Sequence, residues 1–330
     1  MISTISVPTP PQGYGGIERV VHALAEELVR QGHEVTLFAR AGSACSGQTI
    51  EVDPAADQPA FTGGKAPLNE QPLCDAVEAY TARHRLDVLH DWSLQNIFVN
   101  RHPDRVPFVV STCVPQPEGY AQANVVAACA AHARTLKGGT VPHVGYGVDV
   151  QSLDWSEQGG ERQVHLAKIA RYKGQHVSIL AAALSRQPLD IVGNIEGRRY
   201  AKFIIEPMAA LLPNVRLLGE TREVERMLAA SRALVLAPLW FEVYPMVVIQ
   251  ALCAGTPVVT LRSGGLPEQV EDGVNGYLAD NVMGLARAMR EVRGISRKRC
   301  REVALERFAV RDMATRYAML YRRSIDGERW

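Results

Sequence analysis

One short stretch joins a lone carboxylate to the start of an apolar helix, and this combination could bind a ligand. The stretch reads FEVYPMVVIQALCAGTPVV and contains Glu242. Pro245 is predicted at the first helical position, and Gly255 is predicted to end the helix in a left-handed cap. The N–H groups of Met246 and Val247, together with the helix dipole, would stabilise negative charge. Glu242 beside them could hydrogen-bond hydroxyl groups, so the stretch is either a capped helix or part of a binding site.

A second loop carries two lysines in the stretch VHLAKIARYKG. The chain has only six lysines, and Lys168 and Lys173 both follow one predicted strand. Lysine is a compact point charge suited to phosphate, so the loop predicts phosphate contact. The alternative is a pair of solvated surface lysines.

A third loop, Gly13-Tyr14-Gly15-Gly16, lies between the first predicted strand and the first helix. Glycines there let the backbone approach a ligand, and the N–H groups at a helix start favour an anion such as phosphate. The loop lacks the Gly-x-Gly-x-x-Gly spacing of a dinucleotide-binding protein, which counts against a dehydrogenase. A flexible turn is the alternative.

The elements that must position these loops alternate between strand and helix in both halves of the chain. Alternation at this spacing predicts two doubly wound α/β domains, in which ligands bind outside the carboxyl ends of the strands. Residues 1–8 are predicted as a short buried strand, residues 41–72 as a long irregular connection, and 153–163 as a linker. Later strands are predicted in DVLH, FVVST, VHLAKIA, LDIVG, VRLLG, ALVLAP and PVVTL, and helices near 17–31, 73–84, 174–185, 198–211 and 222–231.

Composition narrows the class of protein. A length of 330 residues suits two domains, and a net charge of +1 excludes a protein whose whole surface is a cationic footprint for nucleic acid. The six cysteines have no Cys-x-x-Cys spacing, which predicts reduced thiols and no zinc site. No signal peptide and no run of ~18 apolar residues is visible, so a cytoplasmic location is expected.

Taken in order, these motifs resemble glycosyltransferase family 4. The resemblance rests on PPQGYGGIERVVHALAEELVRQGHEVTLF, DVLHDW, GYGVD, KIARYKG and LDIVG, and above all on FEVYPMVVIQALCAGTPVV with SGGLPEQVEDGVNGYL. It implies the GT-B fold, in which two Rossmann-like, doubly wound parallel-sheet domains face each other across a cleft. The implied domains are an acceptor-binding domain at 1–152, a donor-binding domain at 153–307, and a C-terminal helix at 308–330 that crosses back to the first domain.

The resemblance also implies a role for each matching position. Lys173 and Lys168, the latter where the family usually has Arg, should hold the donor diphosphate. Glu242 should contact the donor sugar, and Gln250 falls where a second glutamate normally binds the ribose hydroxyls. The full implied set is catalytic Glu242, His90 and Lys173, with donor-binding Gly15, Gly16, Lys168, Val243, Tyr244, Met246, Val247 and Gln250. His90 has the alternative of a satisfied structural histidine.

The implied activity is transfer of a hexosyl or N-acetylhexosaminyl group, with retention, from a nucleotide-diphosphate sugar to a carbohydrate, glycolipid or natural-product acceptor. UDP is favoured over GDP on family frequency. The leaving diphosphate itself helps to deprotonate the acceptor, and the two lysines replace a metal ion, so no cofactor and no metal are expected.

Besides Lys168, four positions depart from the family pattern. Gln250 replaces a carboxylate, and Pro245 stands where glycine is frequent and removes one N–H. Cys113 and Trp92 occupy places where the family often has histidine. These departures leave a GT-B epimerase or phosphorylase, or a non-catalytic module that binds nucleotide sugars, as alternatives. A basic run at 287–301 is read as a solvated helix face, with weak contact to anionic lipid as the alternative.

Overall fold

The chain folds into two compact units of mixed α/β structure. The structure is a computed structural model that describes residues 1–13, 15–54 and 69–330. The N-terminal unit comprises Met1–Val148 together with Val310–Trp330, and the C-terminal unit comprises Asp149–Ala309. The strand pairings are parallel in both units, which confirms the predicted fold class.

The N-terminal unit contains two groups of parallel strands, β1 with β2, and β3 with β4 and β5. Apolar side chains from both groups meet in one core that includes Phe38, Leu89 and Phe108. In chain order its elements are α1 (Gly16–Arg30), β1 (Thr36–Arg40), β2 (Gln48–Val52), α2 (Gln71–Thr81), β3 (Leu89–Asp91), α3 (Ile97–Arg101), β4 (Phe108–Ser111), β5 (Val125–Val126), α4 (Ala130–Ala133) and the 3₁₀ turn Lys137–Gly139.

The strand predicted at residues 1–8 is almost absent. Only Ile2 forms bridges, to Phe38 on one side and to Asp91 on the other. The N–H of Ile2 donates to the His90 carbonyl, and the N–H of Ser3 donates to the Phe38 carbonyl. The segment therefore joins the two strand groups, but ladder pairing cannot continue into the prolines of PTPP, because proline has no N–H to donate.

The connection predicted as irregular at 41–72 contains regular structure. Strand β2 lies inside it and pairs with β1 in register, Thr36 opposite Gln48. Helix α2 begins at Gln71, at the end of the predicted connection. Residues 55–68 of this segment lie outside the described residues.

The C-terminal unit is built on a six-stranded parallel sheet. In chain order its elements are the 3₁₀ turn Val150–Ser152, β6 (Gln163–Leu166), the 3₁₀ turn Arg171–Lys173, α5 (Gln175–Ser185), β7 (Leu189–Val192), α6 (Arg198–Tyr200), the π-helix Ala201–Ile205, α7 (Glu206–Leu211), β8 (Val215–Gly219), α8 (Val224–Ala230), β9 (Leu234–Leu236), α9 (Met246–Cys253), β10 (Val258–Leu261), α10 (Leu266–Gln269), β11 (Gly276–Ala279), α11 (Val282–Glu291), the 3₁₀ turn Val292–Gly294 and α12 (Arg297–Arg307). The helix predicted near 198–211 thus contains a π-helical turn.

The order of strands across this sheet is β11-β10-β9-β6-β7-β8. It is the Rossmann order, in which the chain starts in the middle, builds to one edge and then returns to build the other. The direction reverses between β6 and β9, which pair at Val164 and Leu234. A crevice for ligands is expected at the carboxyl ends of these two neighbouring strands.

The segment predicted as a linker is attached to the C-terminal unit. The N–H of Ser156 donates to the Ala254 carbonyl, and the N–H of Gly160 donates to the Ala230 carbonyl. Arg297 further donates to the Ser156 carbonyl over 2.8 Å. Tertiary hydrogen bonds to distant carbonyls therefore order a stretch whose composition alone is typical of a linker.

The last helix, α13 (Val310–Ile325), belongs to the N-terminal unit. Its buried face includes Met313, Tyr317, Leu320 and Tyr321 at helical spacing, and the helix contacts α1 and β4. In the part of the chain that the structure describes, no helix has both the length and the apolar character needed to cross a membrane. All six cysteines carry free thiols, as predicted.

Candidate functional site

The loops after β6 and β9 bring three predicted residues to the reversal point of the C-terminal sheet. Lys168 and Lys173 follow β6, and Glu242 follows β9. Because β6 and β9 are neighbours and parallel, their carboxyl ends lie at the same edge. The tertiary fold therefore joins two loops that are about seventy residues apart in the sequence.

Lys173 and Glu242 form the centre of this site. The Lys173 Nζ lies 3.0 Å from Oε1 and 2.9 Å from Oε2 of Glu242. Trp240 donates from its indole Nε1 to Glu242 Oε2 over 2.7 Å, and Lys173 Nζ lies 4.7 Å from the centre of the same indole ring. The side chains are only 17% and 11% exposed, so the pair is largely shielded from solvent.

Two glycines hold the loops of this pair close to the rest of the backbone. A Cβ on Gly174 would lie 1.8 Å from the Ala237 carbonyl oxygen, and one on Gly264 would lie 2.0 Å from the Glu242 carbonyl oxygen. Both glycines have positive φ, of 69° and 50°. The N–H of Gly265 donates to the Glu242 carbonyl over 2.8 Å. The SGG motif after β10 therefore fixes the backbone of Glu242, a function that the resemblance did not assign.

Lys168 is paired separately. Its Nζ lies 3.3 Å from Glu196 Oε2, and the Tyr172 hydroxyl donates to the same carboxylate. Lys168 is buried, with 4% exposure, and its own carbonyl accepts a bond from Gln175. Each lysine thus has its own carboxylate, and Glu196 is a site residue that reasoning from the sequence missed, because nothing local marks it.

Helix α9 starts one residue later than predicted. Pro245 is the N-cap, with an extended backbone at ψ 123°, and Met246 is the first helical residue. The N–H groups of Met246 and Val247 precede the first intrahelical acceptor, so they face the anion-binding end of the helix. Gly255, with φ of 77°, follows the C-cap Ala254, which confirms the left-handed cap.

Val243 and Tyr244 can contribute to a donor site mainly through their backbone. The Val243 side chain is buried, and the Tyr244 ring packs edge-on against Phe308 with their centres 6.5 Å apart. Both side chains are therefore used in packing. Gln250 lies one turn along α9 and donates from Nε2 to Glu225 Oε1 over 2.9 Å. Glu225 was also missed from the sequence, since it lies in another helix.

Gly15 and Gly16 belong to the N-terminal unit, and Tyr14 between Gly13 and Gly15 lies outside the described residues. A Cβ on Gly15 would lie 2.7 Å from Pro11 and 3.0 Å from the Glu18 carboxylate, so this position needs glycine. Glu18 is buried and lies in the first turn of α1, where a negative charge complements the helix dipole. A phosphate near Gly15 would meet this like charge, so the local geometry favours a neutral ligand group.

His90 is a structural residue of the N-terminal unit. Its Nδ1 lies 2.6 Å from the Tyr321 hydroxyl, and its Nε2 lies 2.8 Å from Ser111 Oγ. The ring is 2% exposed and packs at tilted or edge-on angles against Trp92, Tyr317 and Tyr321. Burial holds the pKa of His90 well below its usual value, so the imidazole is neutral. Both nitrogens are used internally, which favours the alternative of a structural histidine over a catalytic role for His90.

Replacement of His90 by alanine is expected to destabilise the N-terminal unit by about 3 kcal/mol, because it leaves a cavity and two buried hydroxyl groups with fewer partners. Chemical denaturation monitored by tryptophan fluorescence measures this loss, and nucleotide binding should not change. The matched control is alanine at His84, which is exposed. If the alanine variant kept its full stability but lost activity, His90 would have a catalytic role.

Cys113 and Trp92, which stand where the family often has histidine, do not supply a base. Burial raises the pKa of the Cys113 thiol to about 12, so the thiol stays protonated at neutral pH. Trp92 is 1% exposed and packs against His90 and Tyr146. Neither side chain can accept a proton in the way a histidine would.

Several side chains of the basic run at 287–301 are directed to the protein itself. Arg297 donates to the carbonyls of Ser156, Ser231, Ala229 and Ala254, and Arg301 donates to the Leu153 and Cys253 carbonyls. Arg293 and Arg299 pair with glutamates. The run therefore does not form a continuous cationic face, and contact with lipid gains no support.

One cluster in the described part of the chain has a spacing that could hold a metal ion, formed by Cys74, Asp75 and Glu78. Its chemistry does not fit. Glu78 already accepts bonds from Arg101 and His102, and burial raises the pKa of the Cys74 thiol to about 11. A protonated thiol beside an arginine is a poor ligand set for a cation.

Comparison with known proteins agrees with the architecture. A family model described as Glycosyl transferases group 1 matches residues 157–304, and one described as Glycosyltransferase Family 4 matches residues 14–112. Spore coat protein SA of Bacillus subtilis (strain 168) is 23% identical over 331 residues, 84% of this chain and 84% of that protein.

Two solved structures share the fold. AviGT4, a glycosyltransferase involved in avilamycin A biosynthesis, has a TM-score of 0.80 and 21% identity, covering 100% of this chain and 99% of that one. Anabaena Alr3699/HepE in complex with UDP and glucose has a TM-score of 0.70 and 19% identity, covering 96% of this chain and 98% of that one. The fold and the lysine–glutamate site at its reversal point define a protein of the GT-B class. The chain belongs to the glycosyltransferases of family 4 type.

Proposed function

We propose that the chain transfers a sugar, with retention, from a nucleoside-diphosphate sugar to a sugar-containing acceptor. The observation that carries this proposal is the Lys173–Glu242 pair at the reversal point of the Rossmann sheet, next to the start of α9. It joins a cation that suits a diphosphate to a carboxylate that suits sugar hydroxyls. UDP is the favoured carrier, in keeping with the UDP and glucose in the Anabaena structure.

In this proposal different residues of the C-terminal unit bind different parts of the donor. Lys173 and Lys168 bind the diphosphate, and the N–H groups of Met246 and Val247 add fixed dipoles. Glu242 exchanges its bonds with Lys173 for bonds to the sugar hydroxyls. Positioning and electrostatic stabilisation of the departing diphosphate then supply most of the rate increase.

The reaction needs no histidine base. The acceptor oxygen forms a bond to the anomeric carbon on the face that the diphosphate leaves, and the bond from that carbon to the diphosphate breaks. The acceptor proton moves to an oxygen of the leaving diphosphate. The protonated Cys113 and the buried His90 agree with a mechanism in which the substrate provides its own base. We propose that the two lysines neutralise the leaving group and that no metal is required.

A panel of nucleotides in a thermal-shift experiment tests the donor class. UDP or a UDP-sugar at about one hundred times its dissociation constant should stabilise the protein by about 2.7 kcal/mol. Uridine, which lacks the diphosphate, is the control and should give a much smaller shift at equal concentration. A larger thermal shift with GDP than with UDP would indicate GDP as the carrier. The absence of a shift with any nucleotide would contradict the proposal.

A second candidate is a non-catalytic module that binds nucleotide sugars, favoured by the replacement of a ribose-binding carboxylate with Gln250. Turnover separates the two. Release of UDP only in the presence of an acceptor indicates a transferase, and binding without any turnover indicates the module. Conversion of the donor without an acceptor would indicate an epimerase.

A further inference from the structure

We propose that a cavity at the amino-terminal edge of the C-terminal sheet binds a small phosphorylated compound through its phosphate group, at a site separate from the donor site. The cavity has a volume of about 580 Å³. Four basic residues are part of its lining, namely Arg232, Arg293, Arg297 and Lys298. The existence of this site does not depend on the proposed function.

The cavity lies at the opposite edge of the sheet from Lys173 and Glu242. Arg232 comes two residues before β9, and Pro257, another lining residue, comes directly before β10. The donor loops instead follow the carboxyl ends of β6 and β9. A strand rises about 3.3 Å per residue, so the four residues of β10 separate the two edges by about 10 Å. A ligand in the cavity therefore occupies a different place from a ligand at Lys173.

Arg297 gives the cavity a fixed positive charge. Its guanidinium donates to the carbonyls of Ser156, Ser231, Ala229 and Ala254 and to Thr256 Oγ1. These acceptors are all neutral, so in the described part of the chain no carboxylate compensates the charge. A Cβ on Gly159 would lie only 2.6 Å from Arg297 Nη1, so the backbone closes tightly around the guanidinium. Burial lowers the pKa of Arg297, and the positive charge of Arg232 lowers it further, which places a second cation close by.

The groups around the cavity carry an excess of positive charge. Arg232 and Arg293 share one carboxylate, Glu161, at distances of 2.6 and 3.1 Å. Lys298 is exposed and has no ion-pair partner among the residues that the structure describes. Glu157 in the lining adds a second carboxylate. The four cations are thus accompanied by two carboxylates, which leaves two positive charges in excess.

This excess of charge fits a phosphate group. A phosphate monoester carries a charge of about −1.5 to −2 at pH 7 and offers three strong acceptor oxygens. Arginine presents a fork of donors that matches phosphate, and lysine adds a compact point charge. Ser296, the N-cap of α12, also lines the cavity, so the positive end of that helix dipole adds to the potential.

The size and the polar lining of the cavity favour an organic phosphate ester over free phosphate. The volume is within the range of about 300–1,000 Å³ that is usual for small-molecule sites. It therefore leaves room for more than one phosphate group. The side chains of Gln158 and Ser296 in the lining can bond to hydroxyl groups of the rest of the ligand.

Calorimetric titration with glycerol 3-phosphate and with inorganic phosphate tests the site. The titrations use the Lys173→Met protein, which reduces binding of either anion at the donor site. Saturable binding is expected, with glycerol 3-phosphate as the tighter ligand. Addition of Arg293→Gln and Lys298→Gln removes two exposed cations of the lining and should weaken binding roughly tenfold or more.

The matched control adds Lys202→Gln and Arg216→Gln to the Lys173→Met protein instead. This change removes one lysine and one arginine from exposed positions of the same unit, so the net charge is equal and binding should not change. Arg297 is kept in both proteins because its bonds to carbonyls support the fold. Thermal denaturation gives a second readout. Phosphate stabilises proteins in general by exclusion from their surfaces, which affects both variants alike, so a larger rise in Tm is expected for the control.

Equal affinities of the cavity variant and the control would overturn the proposal, and so would the absence of saturable binding to the Lys173→Met protein. Inorganic phosphate that binds as tightly as glycerol 3-phosphate would overturn the assignment of an ester. The proposed function is tested separately, since Arg293→Gln with Lys298→Gln in the protein that keeps Lys173 should leave UDP affinity unchanged. A protein that binds no UDP but shows the expected loss of glycerol 3-phosphate binding would contradict the proposed function and support this site.

Discussion

Replacement of Glu242 by glutamine is expected to lower kcat about 10²- to 10³-fold while UDP affinity stays the same or increases. The reason for the lost turnover is that the carboxylate contacts the sugar in the proposed complex, and the loss of one preorganised polar contact costs about this much. The reason for the retained affinity lies in the pair with Lys173. Without the carboxylate, the lysine charge is no longer compensated within the protein and is fully available to the diphosphate.

Steady-state kinetics with a UDP-sugar, together with calorimetric titration of UDP, check both parts of this result. Glutamine keeps an acceptor for the Trp240 indole, so the loop after β9 should retain its geometry. The control is Glu220→Gln, at an exposed glutamate of the same unit. Equal losses in turnover and in UDP affinity would mean that Glu242 only holds Lys173 and the start of α9 in place.

Replacement of Lys173 by methionine is expected to weaken UDP binding by about 1–3 kcal/mol, the contribution of a charge-assisted hydrogen bond. Methionine retains much of the apolar volume that packs against Trp240, so the change removes mainly the charge. Uridine affinity should stay the same, because the nucleoside has no diphosphate. Unchanged UDP affinity would remove Lys173 from the phosphate site.

The same variant is expected to destabilise the C-terminal unit, because it leaves the Glu242 carboxylate 11% exposed without its cation. The double variant Lys173→Met with Glu242→Gln should recover much of this stability without recovering UDP affinity. Lys202→Met is the control, at an exposed lysine of the same unit. A double variant as unstable as the sum of the two single variants would show that the ion pair has no coupling energy.

Hydrogen-bond partners distinguish a histidine and a carboxylate that sequence reasoning treated alike. His90 and Glu242 both follow strands and both match family positions. Yet the partners of His90 are a serine and a tyrosine of its own unit, whereas Glu242 is paired with a lysine that suits phosphate. A match to a motif locates a residue on the fold, and the hydrogen bonds of its side chain decide whether it can meet a ligand.

The sequence by itself determined the alternation of strands and helices, the loops that follow β6 and β9, and the cap of α9 at Gly255. These features depend on local patterns, since apolar runs specify buried parallel strands and glycine specifies a left-handed cap. The sequence could also identify candidate site residues, because apolar runs mark the ends of the strands. Such residues next to strand ends are Lys168, Lys173 and Glu242.

Only the tertiary structure decided which side chains meet. Tyr321 reaches His90 across 231 positions of the chain, and Glu225 reaches Gln250 across 25. Glu196 pairs with Lys168 in the same way. No local pattern encodes such contacts, because they arise when apolar faces of separate elements pack and carry their polar residues together. The packing of α8 on α9 thus placed a carboxylate beside Gln250, where the sequence showed only that one had been lost.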